Sequence, residues 1–261
     1  MSGPRSARLL LARLSGVLLA LASAGCGPKL DLGSDVLWAT DHESGTPDDW
    51  SADGRGGLEL DAAGSTITIA DGPSHSGRYS LKFSDLSMSD TVGPAAYREL
   101  IDPEDLYYSA WYYVPRAYQT NSEWTIQKFR WRSGADPAQG HDLNLRTLPG
   151  GQVMLYVFSH DPAYLQAPLA NPPAFVPIGT WFQIETFYRA RTDETGRIEV
   201  WVDDRLVYDL KDRRTTGSND LLWSPCDIGE DVEPAPPELY VDDAAISRVR
   251  VTRAGKLWPD R

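Results

Sequence analysis

Between Ser65 and Thr252 the chain is cut into eleven short runs rich in aromatic and β-branched residues, each bounded by Gly, Pro, Asp or Asn. Among them are Arg78–Phe83, Leu106–Val114, Trp124–Trp131, Asp142–Leu148, Gln152–Ser159, Trp181–Arg191 and Arg197–Val202. Helical periodicity is nearly missing; only Ile101 to Leu106, with Asp102 ahead of Pro103, hints at a turn of helix. So many strand-like runs with no long helix between them predict an all-β, antiparallel sandwich rather than a βαβ fold. At 41% hydrophobic and 10% aromatic residues the chain can bury a core of that size. Pro162 to Gly179 and Lys211 to Pro237 read as loops over the sandwich.

The first residues carry a different pattern. Arg5, Arg8 and Arg13 flank a run, Leu14 to Ala22, that is too short to span a bilayer at ~20 residues but suits the apolar stretch of a signal peptide. Ser23-Ala24-Gly25-Cys26 resembles the lipobox of bacterial lipoproteins, which implies a lipid on Cys26 and export to the bacterial envelope. The expected organisation is a signal peptide over 1–25, a lipidated Cys26 and tether over 26–36, and one domain over 37–261. Lipid would be the only membrane anchor. Losing residues 1–25 removes three arginines and no acid, so the net charge moves from -12 to -15. Such a charge argues against a nucleic-acid partner, which needs clustered cations. Cys226 then remains as a lone thiol, expected to be a small buried hydrophobe.

Three stretches carry a resemblance. Trp181-Phe182-Gln183-Ile184-Glu185, followed by Gly196 to Asp204, looks like the paired central strands of concanavalin A-like jelly rolls. Tyr97-Arg98-Glu99-Leu100 with Tyr107 to Pro115, and Trp124-Thr125-Ile126-Gln127-Lys128-Phe129, are similar in order to strands of jelly-roll polysaccharide lyases of the alginate, glucuronan and heparin type. The resemblance implies a jelly roll whose concave sheet meets polysaccharide, with Arg98 and Gln127 neutralising a uronate carboxylate. It departs from the lyase pattern where a histidine base is expected, because Phe129 stands there and cannot accept a proton. Tyr240, His141 and His160 are the substitute candidates. No strand carries the two glutamates around an aspartate that a glucanase of this fold needs.

A second resemblance, to jelly-roll carbohydrate-binding modules, rests on Asp41-His42-Glu43 near the start and Tyr240-Val241-Asp242-Asp243 near the end. There the first and last strands pair and hold a structural calcium, which implies Asp41, Glu43 and Asp242 as oxygen ligands for Ca²⁺. The four histidines show no zinc spacing, and there is no glycine-rich phosphate loop.

Alternation along a strand puts Tyr107, Ser109, Trp111 and Tyr113 on one face. In the Trp124 run it puts Gln127, Phe129 and Trp131 on one face and Lys128, Arg130 and Arg132 on the other. An open Gln127 would drive Lys128 into the core, where an unpaired ammonium is costly. Either a bulge changes the facing after Ile126, or the cations pair with acids at an exposed end. The ligand-binding expectation is therefore Arg98, Gln127, Phe129, Trp131 and Gln183, with Lys128 and Arg130 as a basic patch suited to an acidic glycan. Binding of polysaccharide leads; a lyase and a structural lipoprotein without glycan ligand are the alternatives.

Overall fold

The computed structural model describes residues 34–60, 64–85, 93–101, 103, 105–120, 124–131, 140–160, 165–218, 220–226, 228 and 232–251. Cys26, the lipobox and Arg132 lie outside the described residues. The strands are β1 (Val36–Thr40), β2 (Gly56–Glu59), β3 (Thr66–Asp71), β4 (Tyr79–Ser84), β5 (Ala95–Ile101), β6 (Asp105–Tyr113), β7 (Gln119–Thr120), β8 (Trp124–Arg130) and β9 (Gly140–Thr147). They continue as β10 (Val153–Ser159), β11 (Leu165–Gln166), β12 (Phe175–Val176), β13 (Phe182–Arg189), β14 (Gly196–Val202), β15 (Arg205–Arg213), β16 (Asp220–Ser224), β17 (Val232–Glu233) and β18 (Glu238–Ser247). One 3₁₀ turn, Pro47–Trp50, is capped by the Thr46 side chain. Where a helical turn is expected near 101–106, Ile101 ends β5 and Asp105 and Leu106 open β6.

Two sheets stack. Sheet I runs β15-β14-β13-β6-β18-β4-β3, with β1 also pairing β18; sheet II runs β11-β10-β9-β8-β16-β5-β2, with β12 on β10. The pairings between strands are antiparallel, including the expected β13–β14 hairpin and the first-to-last pairing of β1 with β18. The β14–β15 turn uses Asp203 and Asp204 at φ 47° and 64°, the left-handed pair a two-residue hairpin needs. The all-β sandwich read from the punctuation is thus the fold.

The core between the sheets is aromatic. Tyr108, Tyr112, Phe182 and Tyr188 point inward from sheet I, and Trp124, Phe129 and Trp223 from sheet II. The Phe129 ring stacks on Tyr188 at 4.4 Å and meets Tyr108 edge-on at 5.1 Å. Cys226 is buried in this core, as expected of a small hydrophobe. Strand β16 falls inside the stretch expected to be a Lys211–Pro237 loop, yet it sits centrally in sheet II, between β5 and β8. Its short Asp-Leu-Leu-Trp-Ser run buries Leu221 and Trp223 and is too brief to announce itself.

Packing of this kind leaves little slack. Replacing Phe129→Ala removes a ring that joins both sheets and should cost about 3–5 kcal/mol, read as a lowered urea midpoint with an unchanged slope. A cost below about 1 kcal/mol would show that the two sheets do not depend on this contact.

Candidate functional site

Strand β8 decides which side chains reach solvent. Its pairing with β9 shifts register between Thr125 and Gln127, a β-bulge. Beyond the shift, Gln127 pairs with Leu143 and Phe129 with His141, all on the core side, while Lys128 pairs with Asp142 on the outer side. Of the two ways to place the cations, the bulge is the one found. Its consequence is the reverse of an open Gln127: the Gln127 amide lies between the sheets, fully buried, accepting from Thr186 Oγ1 at 2.8 Å.

Most of the expected ligand residues move with it. Phe129 belongs to the core, and Trp131 is buried beside His141. Arg98 also points inward. It donates to the Trp50 carbonyl at 2.8 Å and to Asp53 Oδ2 at 2.6 Å, with its guanidinium 4.8 Å from the Trp38 ring. Gln183 lies on the other sheet's outer face, donating to Ser109 Oγ and the Val251 carbonyl. The neutralising pair expected from Arg98 and Gln127 is not assembled on any open face. Arg98 faces inward without any bulge: simple alternation in β5 gives the outward positions to its neighbours Tyr97 and Glu99.

The proton-transfer candidates separate too. His141 is buried against Tyr188, whose hydroxyl donates to the Thr215 carbonyl, so Nδ1 of His141 carries the proton toward Tyr188. Burial holds this imidazole neutral, with its pKa down to about 3, and leaves it no access to substrate. Tyr240 is on the outer face of sheet I, near Lys82 and Glu238. Of the three candidates, only His160 stands on the face of Lys128 and Arg130.

What gathers on the outer face of sheet II is a different set. Asp142 is buried and takes a bidentate grip from Arg130, one arm at 2.6 Å, plus the His160 Nε2 at 2.7 Å. Burial pushes the Asp142 carboxyl up, but the Arg130 charge overrides it and holds the pKa at about 2. In the next cross-strand row lie Thr125, Asn144 and Tyr156. Asn144 is fully buried, and neither its Oδ1 nor its Nδ2 has a hydrogen-bond partner among the described residues. Arg146 stacks over the Tyr156 ring at 4.6 Å. Gly140 lets β9 close on β8, since a Cβ there would sit 1.9 Å from the Phe129 carbonyl oxygen. Asp142, Asn144, Arg146 and Tyr156 are absent from the sequence-based candidates, although His-Asp-Leu-Asn-Leu-Arg alternates polar and apolar side chains as a half-exposed strand does.

The acids expected to hold calcium serve as backbone anchors. Glu43 Oε1 accepts the amides of Arg78 and Tyr79 at 2.7 and 2.8 Å, and Asp242 Oδ2 accepts those of His75 and Ser76 at 2.8 and 3.3 Å. Asp41 accepts the Glu43 amide. Among the described residues no group of three or more His, Cys, Asp or Glu is placed to hold a metal ion, and no helix is long and apolar enough to cross a membrane.

No protein-family model and no curated protein matches the chain in sequence. Solved structures match it in shape. An endo-β-1,4-glucuronan lyase from the fungus Trichoderma reesei superposes with a TM-score of 0.55 at 13% identity, over 76% of this chain and 92% of its own. The β-sandwich fold is shared with these structures. A cellulose-induced protein gives 0.58 at 16% identity, covering 82% of this chain and 98% of its own. An alginate lyase solved with an alginate trisaccharide gives 0.57 at 13% identity, over 82% and 98%.

Neutral His141 makes the fold acid-sensitive. Its folded pKa lies below the ordinary 6.5, so its share of stability is full above that value and is lost as pH falls toward 3. Stability measured by urea at pH 7, 6, 5 and 4 should fall, and His141→Asn should flatten that acid limb. An unchanged limb in the variant would clear His141 of the effect.

Proposed function

We propose that the chain binds an acidic polysaccharide on the outer face of sheet II. The observation that carries the reading is Asn144, fully buried with no partner for its amide among the described residues, in the row beside Lys128, Arg130 and Asp142. A buried amide without partners costs about 1–3 kcal/mol, and a ligand carboxylate or hydroxyl can satisfy it. Lys128, Arg130 and Arg146 against the single carboxylate of Asp142, which Arg130 engages, leave a local excess of positive charge on β8 and β9 in a chain whose total charge is -12. The fold shared with a glucuronan lyase and an alginate lyase supports the same ligand class. A lipid on Cys26 would hold this face at the bacterial envelope.

A β-eliminating lyase is the second reading, favoured by one observation. His160 and Tyr156 stand on the same face as Asn144 and Arg130, so groups able to neutralise a carboxylate and to move a proton share one surface. In that reaction a base removes the C5 proton of a uronate, the C4–C5 double bond forms, and the C4–O bond breaks with a proton delivered to the leaving oxygen.

Affinity electrophoresis in gels cast with alginate, glucuronan, heparin or pectate tests the binding. Retardation in at least one, weakened about tenfold by Lys128→Ala or Asn144→Ala and by added salt, is expected. Unretarded migration in all four overturns the reading. Growth of ultraviolet absorbance in the same solutions would move the conclusion from binding to elimination.

A further inference from the structure

The aromatic stripe of β6 is not used by the face of sheet II. It lies on the opposite surface of the sandwich, where Tyr107 pairs across with Phe187, and Ser109 with Glu185 and then Trp201. The rings of Tyr107, Phe187 and Trp201 form a shelf, with centroids 5.0 Å apart for Tyr107–Phe187 and 6.2 Å for Tyr107–Trp201. Tyr107 is its partly exposed member, and Phe187 and Trp201 are buried behind it at 7% and 9% exposure. Beside the shelf, Glu185 is 1% exposed. Its Oε1 takes the Arg250 guanidinium at 2.6 Å, but its Oε2 is buried with no hydrogen-bond partner among the described residues. Burial raises the Glu185 pKa, opposed by Arg250 and by the backbone amide of Val251.

We infer that this face of sheet I is a second carbohydrate site, for a neutral glycan chain. A pyranose ring seated against Tyr107 offers apolar C–H faces to the aromatic shelf and directs a hydroxyl to Glu185 Oε2. Arg250, stacked 4.3 Å above Trp201 and bound also to Asp204 at 3.1 Å, stands at the rim as a donor. Charge selects against a uronate here. The arginines around the shelf are engaged by carboxylates: Arg189 by Asp105, Arg197 by Glu199 and Asp209, and Arg250 by Glu185 and Asp204. A glycan carboxylate would meet Glu185, Glu199 and Asp209 beside cations already engaged. The two faces of one sandwich therefore sort glycans by charge.

Titration of the whole chain with two neutral soluble glucans, laminarin and hydroxyethyl cellulose, followed by tryptophan fluorescence, tests this site apart from the other. Binding of at least one is expected, with Trp201 reporting it. Tyr107→Ala and Glu185→Gln should each weaken it about tenfold, while Lys128→Ala on the opposite face leaves it unchanged. If Tyr107→Ala lowers the melting temperature, Tyr107→Leu keeps the apolar volume without the ring and should show the same loss. No fluorescence response to either glucan, or binding that survives both Tyr107→Leu and Glu185→Gln, overturns the site. Absence of neutral binding with retention in alginate gels would defeat this inference and leave the acidic-glycan reading standing.

Discussion

One inserted residue in β8 governs what the second sheet shows to solvent. Because side chains alternate with period two, a register shift between Thr125 and Gln127 reverses the facing of the later β8 residues relative to Trp124 and Ile126 at its start. It sends Gln127 and Phe129 into the core and turns Lys128 and Arg130 outward. The alternative would bury an ammonium and a guanidinium, which only well-placed counter-ions could tolerate. The bulge thus avoids that burial and, by the same stroke, builds the cationic row. Asp142 completes the arrangement from β9, held by Arg130 and His160 in a charge-assisted cluster that fixes both partners.

The electrostatics of the molecule are local. A total of -12 describes neither surface of the sandwich. On the β8–β9 part of sheet II, Lys128, Arg130 and Arg146 stand against Asp142, with Glu59, Glu99 and Asp220 farther along on β2, β5 and β16, whereas around the Tyr107 shelf on sheet I the carboxylates match or exceed the arginines they bind. Fields near a surface fall off within about 10 Å at ordinary ionic strength, so each face acts on a ligand almost independently of the other.

The fold was legible because its signal is distributed. Each of many strands carries its own alternation and turn residues, so the missed β16 and the misread stretch at 101–106 left the architecture intact. The site was not, because it depends on parity at single positions. Arg98 and Gln127 have the right chemistry for a uronate, but alternation in β5 and the bulge in β8 turn both toward the core. Asn144 could have been found from the alternation of Asp142 to Arg146 in β9, which needs no bulge to interpret, whereas Tyr156 lies in the largely apolar β10. The acids at 41, 43 and 242 accept loop amides, a role that their sequence pattern does not distinguish from the calcium ligation it led one to expect.

Strand β18 lies in the interior of sheet I, between β6 on one side and β4 with β1 on the other. The last strand among the described residues is therefore a structural middle. Sheet I has a gap until residues 238–247 have been delivered, and a growing chain offers β1, β4 and β6 only unpaired edges in the meantime. Such a molecule cannot mature piece by piece from its N-terminus; its long-range pairings close late and together, which makes acquisition of the native state slow and dependent on the complete polypeptide.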